Sequence, residues 1–317
     1  MKIVVLDGFA VNPGDLSWDF LGRFGEFTVY DKTPNEECAE KCFGADVVFT
    51  NRAKVTAEVL EKCPTVKYIS ALGTGFDMID TEACKAKGVA VVNVPAYSTP
   101  SVAQHTVQLM LTLFTDLDGM REIVKEGSWT GQPGYEYQHV MFTELQGLTL
   151  GLIGCGGIGG RVAEIASALG MRVLAHTAHP HADTETVKYV PLDTLLAEAD
   201  AVSLHCPLNG STRGMVDAAF ISKMKDGARL INTSRGAVLN EADVAAALNS
   251  GKLASAALDV LATEPALPDN PLLTAKNCII TPHIAWASKA ARLRLLSVLE
   301  SSLDNFIKTG VGLNRVV

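Results

Sequence analysis

Short apolar, β-branched runs recur along the chain, with helix-patterned stretches between them. Residues 2–7 (KIVVLD), 27–31 (FTVYD), 45–50 (ADVVFT), 66–72 (VKYISAL) and 89–94 (VAVVNV) read as strands, and 35–43 and 80–87 as helices. Strand alternating with helix requires right-handed crossovers and parallel pairing, so the first ~95 residues predict one open α/β sheet. Behind Pro95 and Pro100 the spacing turns helical, with Ser101 the expected N-cap of a long helix that carries the chain into a second domain. Strand-like runs return at 148–153, 171–177, 202–208, 228–234, 255–260 and 277–284, the six a dinucleotide-binding sheet requires. A last amphipathic stretch, 287–308, predicts one long helix that returns to the first domain. The predicted class is therefore α/β, with two doubly wound, parallel-sheet, Rossmann-like domains: 1–99 plus 287–317, and 100–286. The stretch 128–147 is glycine-rich and aromatic with weak periodicity, and reads as a surface arm, a subunit contact or a solvated loop.

One stretch carries a chemical signature. In 148–160 (LTLGLIGCGGIGG) the apolar run ends in Gly154-Cys155-Gly156-Gly157-Ile158-Gly159, and helix-forming RVAEIASALG follows. This is the strand, tight turn and helix start of a dinucleotide-binding βαβ unit. Gly154 permits the turn, Gly156 lets the backbone approach a pyrophosphate, and Gly159 lets the helix pack on its strand. The helix start offers free N–H groups to the phosphates. The acid that usually holds the ribose at the end of the next strand is missing: Thr177 stands there, within His176-Thr177-Ala178-His179-Pro180-His181. An acid would repel a 2′-phosphate, so NADP is not barred, yet no arginine clamps that phosphate either. NAD or NADP is expected, with the preference open. The three histidines lack a defining metal-ligand spacing, and no metal is expected.

Composition narrows the classes. At 317 residues the chain can hold two domains, and its 48% hydrophobic and 20% charged content is that of a soluble α/β protein. No apolar stretch approaches the ~20 residues of a membrane span, and the N-terminus lacks a signal peptide's long apolar region. A formal charge of −8 without a basic block argues against nucleic-acid binding. The seven scattered cysteines read as reduced thiols of a cytoplasmic protein, and Cys38 and Cys42, four apart on a helix, lack partners to complete a metal site.

Polar residues cluster at strand ends, where open parallel sheets collect their ligands. In the first domain these are Thr50-Asn51-Arg52 and Gly73-Thr74-Gly75, whose amides suit a carboxylate. In the second they are Arg235 in LINTSRG, Glu264 in DVLATEP and His283 in ITPHIAW. A guanidinium captures a carboxylate and polarises a carbonyl, and a histidine held by a carboxylate can give a proton to an alkoxide as hydride arrives. His105 on the long helix reads as a packing or hydrogen-bonding residue.

Together these motifs resemble the D-isomer-specific 2-hydroxyacid dehydrogenases, particularly the glycerate dehydrogenase/hydroxypyruvate reductase branch. The resemblance rests on the loop at 73–75, the glycines at 154–159, HCPL at 205–208, NTSRGAVLNEADV at 232–244, ALDVLATEP at 257–265 and TPHIAW at 281–286. It implies an NAD(P)-dependent reductase of a small 2-keto acid, a dimer whose two domains close a cleft, with the nucleotide domain inserted in the substrate-binding one. It implies that Arg235 grips substrate, that His283 is the general acid/base and that Glu264 is its partner. It further implies that Asp259 meets the nicotinamide end, that Cys206 and Pro207 line the adenine side, that His205 binds the coenzyme, and that Thr233 and Ser234 lie nearby. Gly73, Thr74 and Gly75, with Asn51, would hold the substrate carboxylate, and Trp286 points to hydroxypyruvate or glyoxylate. Thr177 and Gln104 depart from the family pattern. Some relatives serve as corepressors, so a nucleotide-sensing binding protein without turnover is the alternative.

Overall fold

The computed structural model describes residues 1–131, 142–179 and 182–317, and in it the apolar runs become strands, the central ones buried. The first unit comprises Met1–Ser98 with Ala287–Val317. Its strands are β1 (Lys2–Val5), β2 (Glu26–Val29), β3 (Val47–Thr50), β4 (Tyr68–Ala71) and β5 (Ala90–Val92). Among the described residues they form a five-stranded sheet, parallel throughout, in the order β2-β1-β3-β4-β5. Helices α1 (Gly8–Val11), α2 (Cys38–Cys42), α3 (Ala57–Lys62) and α4 (Thr81–Lys87) connect them. Local chemistry sets their ends: the Thr56 and Asp80 side chains accept the N–H groups of Val59 and Ala83, and Gly88 closes α4 at φ 67°. β3 and β4 are buried at every position, as a parallel sheet covered on both faces requires.

The second unit is Thr99–Trp286. In chain order it holds α5 (Thr99–Phe114), α6 (Leu117–Lys125), β6 (Thr149–Ile153), α7 (Gly157–Ala168), β7 (Arg172–His176), β8 (Lys188–Tyr189) and α8 (Leu192–Glu198). Then follow β9 (Ala201–Leu204), α9 (Ala218–Lys223), β10 (Ala228–Asn232), α10 (Glu241–Ser250), β11 (Leu253–Leu258) and β12 (Cys278–Ile280). The described strands form a parallel sheet in the order β12-β11-β10-β9-β6-β7-β8. Alternation along each strand feeds two cores: Leu174, Leu230 and Ala256 join one, Val173, Ile231 and Ala257 the other. The second core is where α5 packs on α7, through Ala103, Val107 and Met110 against Val162, Ala163 and Ala166.

The remaining helix, α11 (Lys289–Thr309), belongs to the first unit. Its Leu295, Leu299 and Leu303 are fully buried, and Phe306 stacks on Tyr68 with centroids 4.8 Å apart. Beyond it Val316 donates to the Val91 carbonyl at 2.7 Å, fastening the chain's tail to β5.

Several expectations are corrected. Ser101 does not cap α5: the helix begins at Thr99 with Pro100 in its first turn, and the Ser101 hydroxyl donates to the Ala285 carbonyl at 2.7 Å. The described sheet has seven strands, not six, because the two-residue edge strand β8 pairs with β7. The run 277–284 is strand only over Cys278–Ile280, since Pro282 lacks a ladder donor and the residues after Ile280 are drawn into a turn. Residues 132–141, most of the expected arm, and His181 lie outside the described residues.

Candidate active site

The ends of β6, β7 and β9 converge on the glycine turn. The Gly154 N–H donates to the His176 carbonyl at 2.8 Å, and the His205 N–H to the Ile153 carbonyl at 2.8 Å. Gly154 has φ +92°, and a Cβ on it would lie 2.7 Å from the His205 carbonyl oxygen, so no side chain fits. A Cβ on Gly159 would lie 2.4 Å from the Gly154 carbonyl oxygen, which explains how closely α7 sits on its turn. Gly156 is the N-cap of α7, with no side chain bonded to the first turn and nothing within 4 Å of where its Cβ would be. Open space beside unclaimed helical N–H groups fits a dinucleotide's pyrophosphate.

Around that turn, Thr177 is half-buried beyond β7, its hydroxyl accepting from the His179 N–H at 3.5 Å. Asp183, the first acid after β7, is spent on the Tyr189 N–H at 2.8 Å. The His205 ring meets the Ser203 hydroxyl at 2.9 Å, and burial pushes its pKa down to about 4, so it is neutral at pH 7. Cys206 is half-buried with its thiol pushed up by burial, while Pro207 is exposed and its carbonyl accepts from Thr212 at 2.6 Å.

The catalytic candidates stand on the loops after β10, β11 and β12, and Glu264 and His283 meet there. Nδ1 of His283 lies 2.6 Å from Oε2 of Glu264, whose other oxygen accepts the Leu261 N–H at 3.0 Å. His283 has φ +54°, a left-handed conformation costing about 1–2 kcal/mol for a side-chain-bearing residue. The surroundings fix it: its N–H donates to the Asp259 carbonyl at 2.8 Å, and its carbonyl accepts from Trp286 Nε1 at 3.0 Å. Arg235 is half-buried, one guanidinium N–H bonded to the Ser234 carbonyl at 2.9 Å. Thr233 is buried against Thr106, with hydroxyl oxygens 2.8 Å apart.

Asp259 does something the sequence reading did not foresee. It is 1% exposed, and its carboxylate accepts from the Thr281 hydroxyl at 2.5 Å, the Ile284 N–H at 3.0 Å and the Ala285 N–H at 2.9 Å. Burial raises its pKa, but hydrogen bonds from His105, Thr281 and the Ala285 and Ile284 amides outweigh this, so it lies below the ordinary value. Asn232 was also missed: its side chain accepts the Ser234 N–H and hydroxyl at 3.0 and 2.8 Å and donates to the Arg235 carbonyl at 2.9 Å. An asparagine ending a strand before Thr-Ser is a turn signal that could have found it.

In the first unit, Asn51 donates from its side chain to the Leu72 carbonyl at 3.1 Å. The Thr74 hydroxyl donates to the Val94 carbonyl at 2.9 Å, beside half-buried Gly73 and Gly75.

Comparisons with known proteins place this geometry in a family. The model for the NAD-binding domain of D-isomer-specific 2-hydroxyacid dehydrogenases matches residues 107–285. The chain is 45% identical over 313 residues to a hydroxypyruvate reductase of Blautia hydrogenotrophica, covering 97% of each. It is 35% identical to a glycerate dehydrogenase of Methylorubrum extorquens, covering 96% of each. Among solved structures it is similar to an acyclic imino acid reductase in complex with NADPH and D-Arg, with TM-score 0.86, 28% identity and full coverage of both chains. The chain belongs to the D-isomer-specific 2-hydroxyacid dehydrogenase family. It is an NAD(P)-dependent oxidoreductase acting on the CH–OH group of 2-hydroxy acids, and nothing in these likenesses favours a corepressor.

Proposed function

We propose that the chain reduces a small 2-keto acid of the hydroxypyruvate or glyoxylate type, with His283 as proton donor. The observation that carries this is the His283–Glu264 pair. Nδ1 donates to the carboxylate at 2.6 Å, so Nε2, without a hydrogen-bond partner among the described residues, is where the proton is given. Glu264 orients the ring and stabilises its protonated form. Arg235 has no ion-pair partner among the described residues and grips the substrate's carboxylate and carbonyl. When bound, the reduced nicotinamide supplies hydride to the carbonyl carbon.

Gly154, Gly156, Gly157, Ile158 and Gly159 are assigned to the pyrophosphate, Thr177 to the ribose, Cys206 and Pro207 to the adenine side, and His205 to the coenzyme. Thr233 and Ser234 flank the coenzyme, and Asp259, assigned to its nicotinamide end, also holds the turn of the proton donor. In the first unit Asn51, Gly73, Thr74 and Gly75 are assigned to the substrate carboxylate, and in the second Trp286 to its distal end. The relatives named for hydroxypyruvate and glycerate support the substrate class.

A homodimer is part of this reading. α6 buries none of its residues, and Leu117, Val124, Trp129 and Phe142 leave large apolar surface exposed near it. The cytoplasm is the proposed compartment, in keeping with seven free thiols; among the described residues no helix is long and apolar enough to cross a membrane.

The test mixes purified protein with NADH or NADPH and a panel of glyoxylate, hydroxypyruvate, pyruvate and longer keto acids. Coenzyme oxidation is expected with the first two, and His283→Ala is expected to lower kcat at least ~100-fold. Silence across the panel overturns the substrate reading, and an active His283→Ala reassigns the proton donor.

A further inference from the structure

We infer that His105 is a positioning residue for this reaction: through Thr281 and Asp259 it fixes the turn that presents His283. The inference rests on the reading of His283 as the proton donor.

The turn after β12 needs fixing, because His283 sits at φ +54° and no run of helix or strand bonds holds it there. Asp259 supplies most of the restraint. Its carbonyl takes the His283 N–H, one carboxylate oxygen takes Thr281 and Ile284, and the other takes Ala285. One buried residue thus grips both sides of the proton donor. A carboxylate that is 1% exposed requires hydrogen-bond donors. Within ion-pair distance among the described residues stands His105, its Nε2 3.6 Å from Asp259 Oδ1 and 3.1 Å from Thr281 Oγ1.

Proton accounting settles the direction of that contact. A threonine hydroxyl has one hydrogen, and here it goes to Asp259 at 2.5 Å. Thr281 can then only accept from His105, so Nε2 of His105 carries a proton in the neutral and charged ring alike. The order is therefore His105 to Thr281 to Asp259.

Placement on α5 strengthens the case. Ser101 and His105 are one helical turn apart on the same face; the first donates to the Ala285 carbonyl at 2.7 Å and the second reaches Thr281. Next to them, Thr106 meets Thr233 on the Arg235 loop. One helix therefore braces both catalytic turns. None of these three side chains is proposed to touch substrate.

The test compares wild type, His105→Ala and His105→Gln as full-length proteins. Gln keeps a side-chain N–H able to donate to Thr281, and Ala does not. His105→Ala is expected to lower kcat about 10- to 100-fold, with KM for coenzyme within threefold of wild type. His105→Gln should recover most of the loss. Nitrogen-15 histidine NMR on the resting protein should show His105 protonated at Nε2, and the His283 ring signals should move in His105→Ala but return in His105→Gln. An unprotonated Nε2, or an unchanged kcat in His105→Ala, overturns the proposal. So does a loss of kcat that Gln fails to rescue while the melting temperature falls, which is the mark of a merely structural residue. The NMR measurements need no turnover, so a failed substrate panel and a failed His105 linkage are told apart.

Discussion

The leading strands of the two sheets end in opposite ways. β6 lies between β7 and β9 and runs into a bare glycine turn, with the first N–H groups of α7 unclaimed by any side chain. β1 lies at the equivalent reversal, between β2 and β3, and runs into Asp7. There the chain provides its own anion. Oδ2 of Asp7 accepts the N–H groups of Asn51, Arg52 and Ala53 at 3.1, 2.8 and 2.8 Å, and Oδ1 accepts that of Thr33 at 3.4 Å. A parallel sheet gathers N–H donors at its switch point wherever it is built. In one unit a carboxylate that is 5% exposed satisfies them; in the other they are left for a ligand.

Four substitutions or conditions sharpen or break that contrast. Placing a carboxylate in the second turn should have the largest effect. Gly156→Asp fits sterically and makes a good N-cap, yet puts a charge where the pyrophosphate is assigned. Like-charge contact costs several kcal/mol, so coenzyme affinity by fluorescence titration should fall by about 1,000-fold with the melting temperature held or raised. Unchanged affinity would move the pyrophosphate elsewhere.

Emptying the first site comes next. Asp7→Ala leaves the N–H groups of residues 51–53 without their acceptor and should cost about 3 kcal/mol in urea unfolding, while coenzyme affinity stays within twofold. A loss of coenzyme affinity as large as that of Gly156→Asp would show that the two sites are not independent.

A smaller effect concerns the neutral imidazole behind the glycine turn. His205 has a folded pKa of about 4, below the ordinary value of 6.5, so in that window the unfolded chain takes up a proton that the folded one refuses. Stability therefore falls as pH drops, by about 2 kcal/mol between roughly pH 7 and pH 5. His205→Asn should flatten that slope in pH-dependent melts, and a parallel slope in the variant would assign it to other groups. Smallest is Thr177→Asp, which restores an acid at the end of β7 and should shift the ratio of NADH to NADPH affinity toward NADH by about tenfold.

The contrast also shows what a sequence can reveal. Strand and helix alternation was legible because the inner parallel strands bury every position and their connecting helices carry apolar stripes. The glycine turn was legible because only glycine tolerates φ +92° against a carbonyl, and Arg235, Glu264 and His283 because their motifs are ordered along one sheet edge. Asp7 was not legible: it stands at the end of the run KIVVLD, and three of its donors come from residues more than forty positions away. The same holds for His105, whose partner Thr281 lies 176 positions further along the chain. β8 escaped because two residues, Lys188-Tyr189, make no pattern. The turn at 281–286 escaped because its apolar residues continue the periodicity of β12 while a buried aspartate bends the backbone away.

The first unit is assembled from both sides of the second, with β5 and Tyr68 leaning on α11 and the tail that follows it. During synthesis on the ribosome, residues 99–286 emerge as a finished set while their host still lacks Leu295, Leu299 and Leu303. The inserted body is thus free to fold first. The surrounding one must wait, its apolar sheet face exposed, until translation has delivered its last helix.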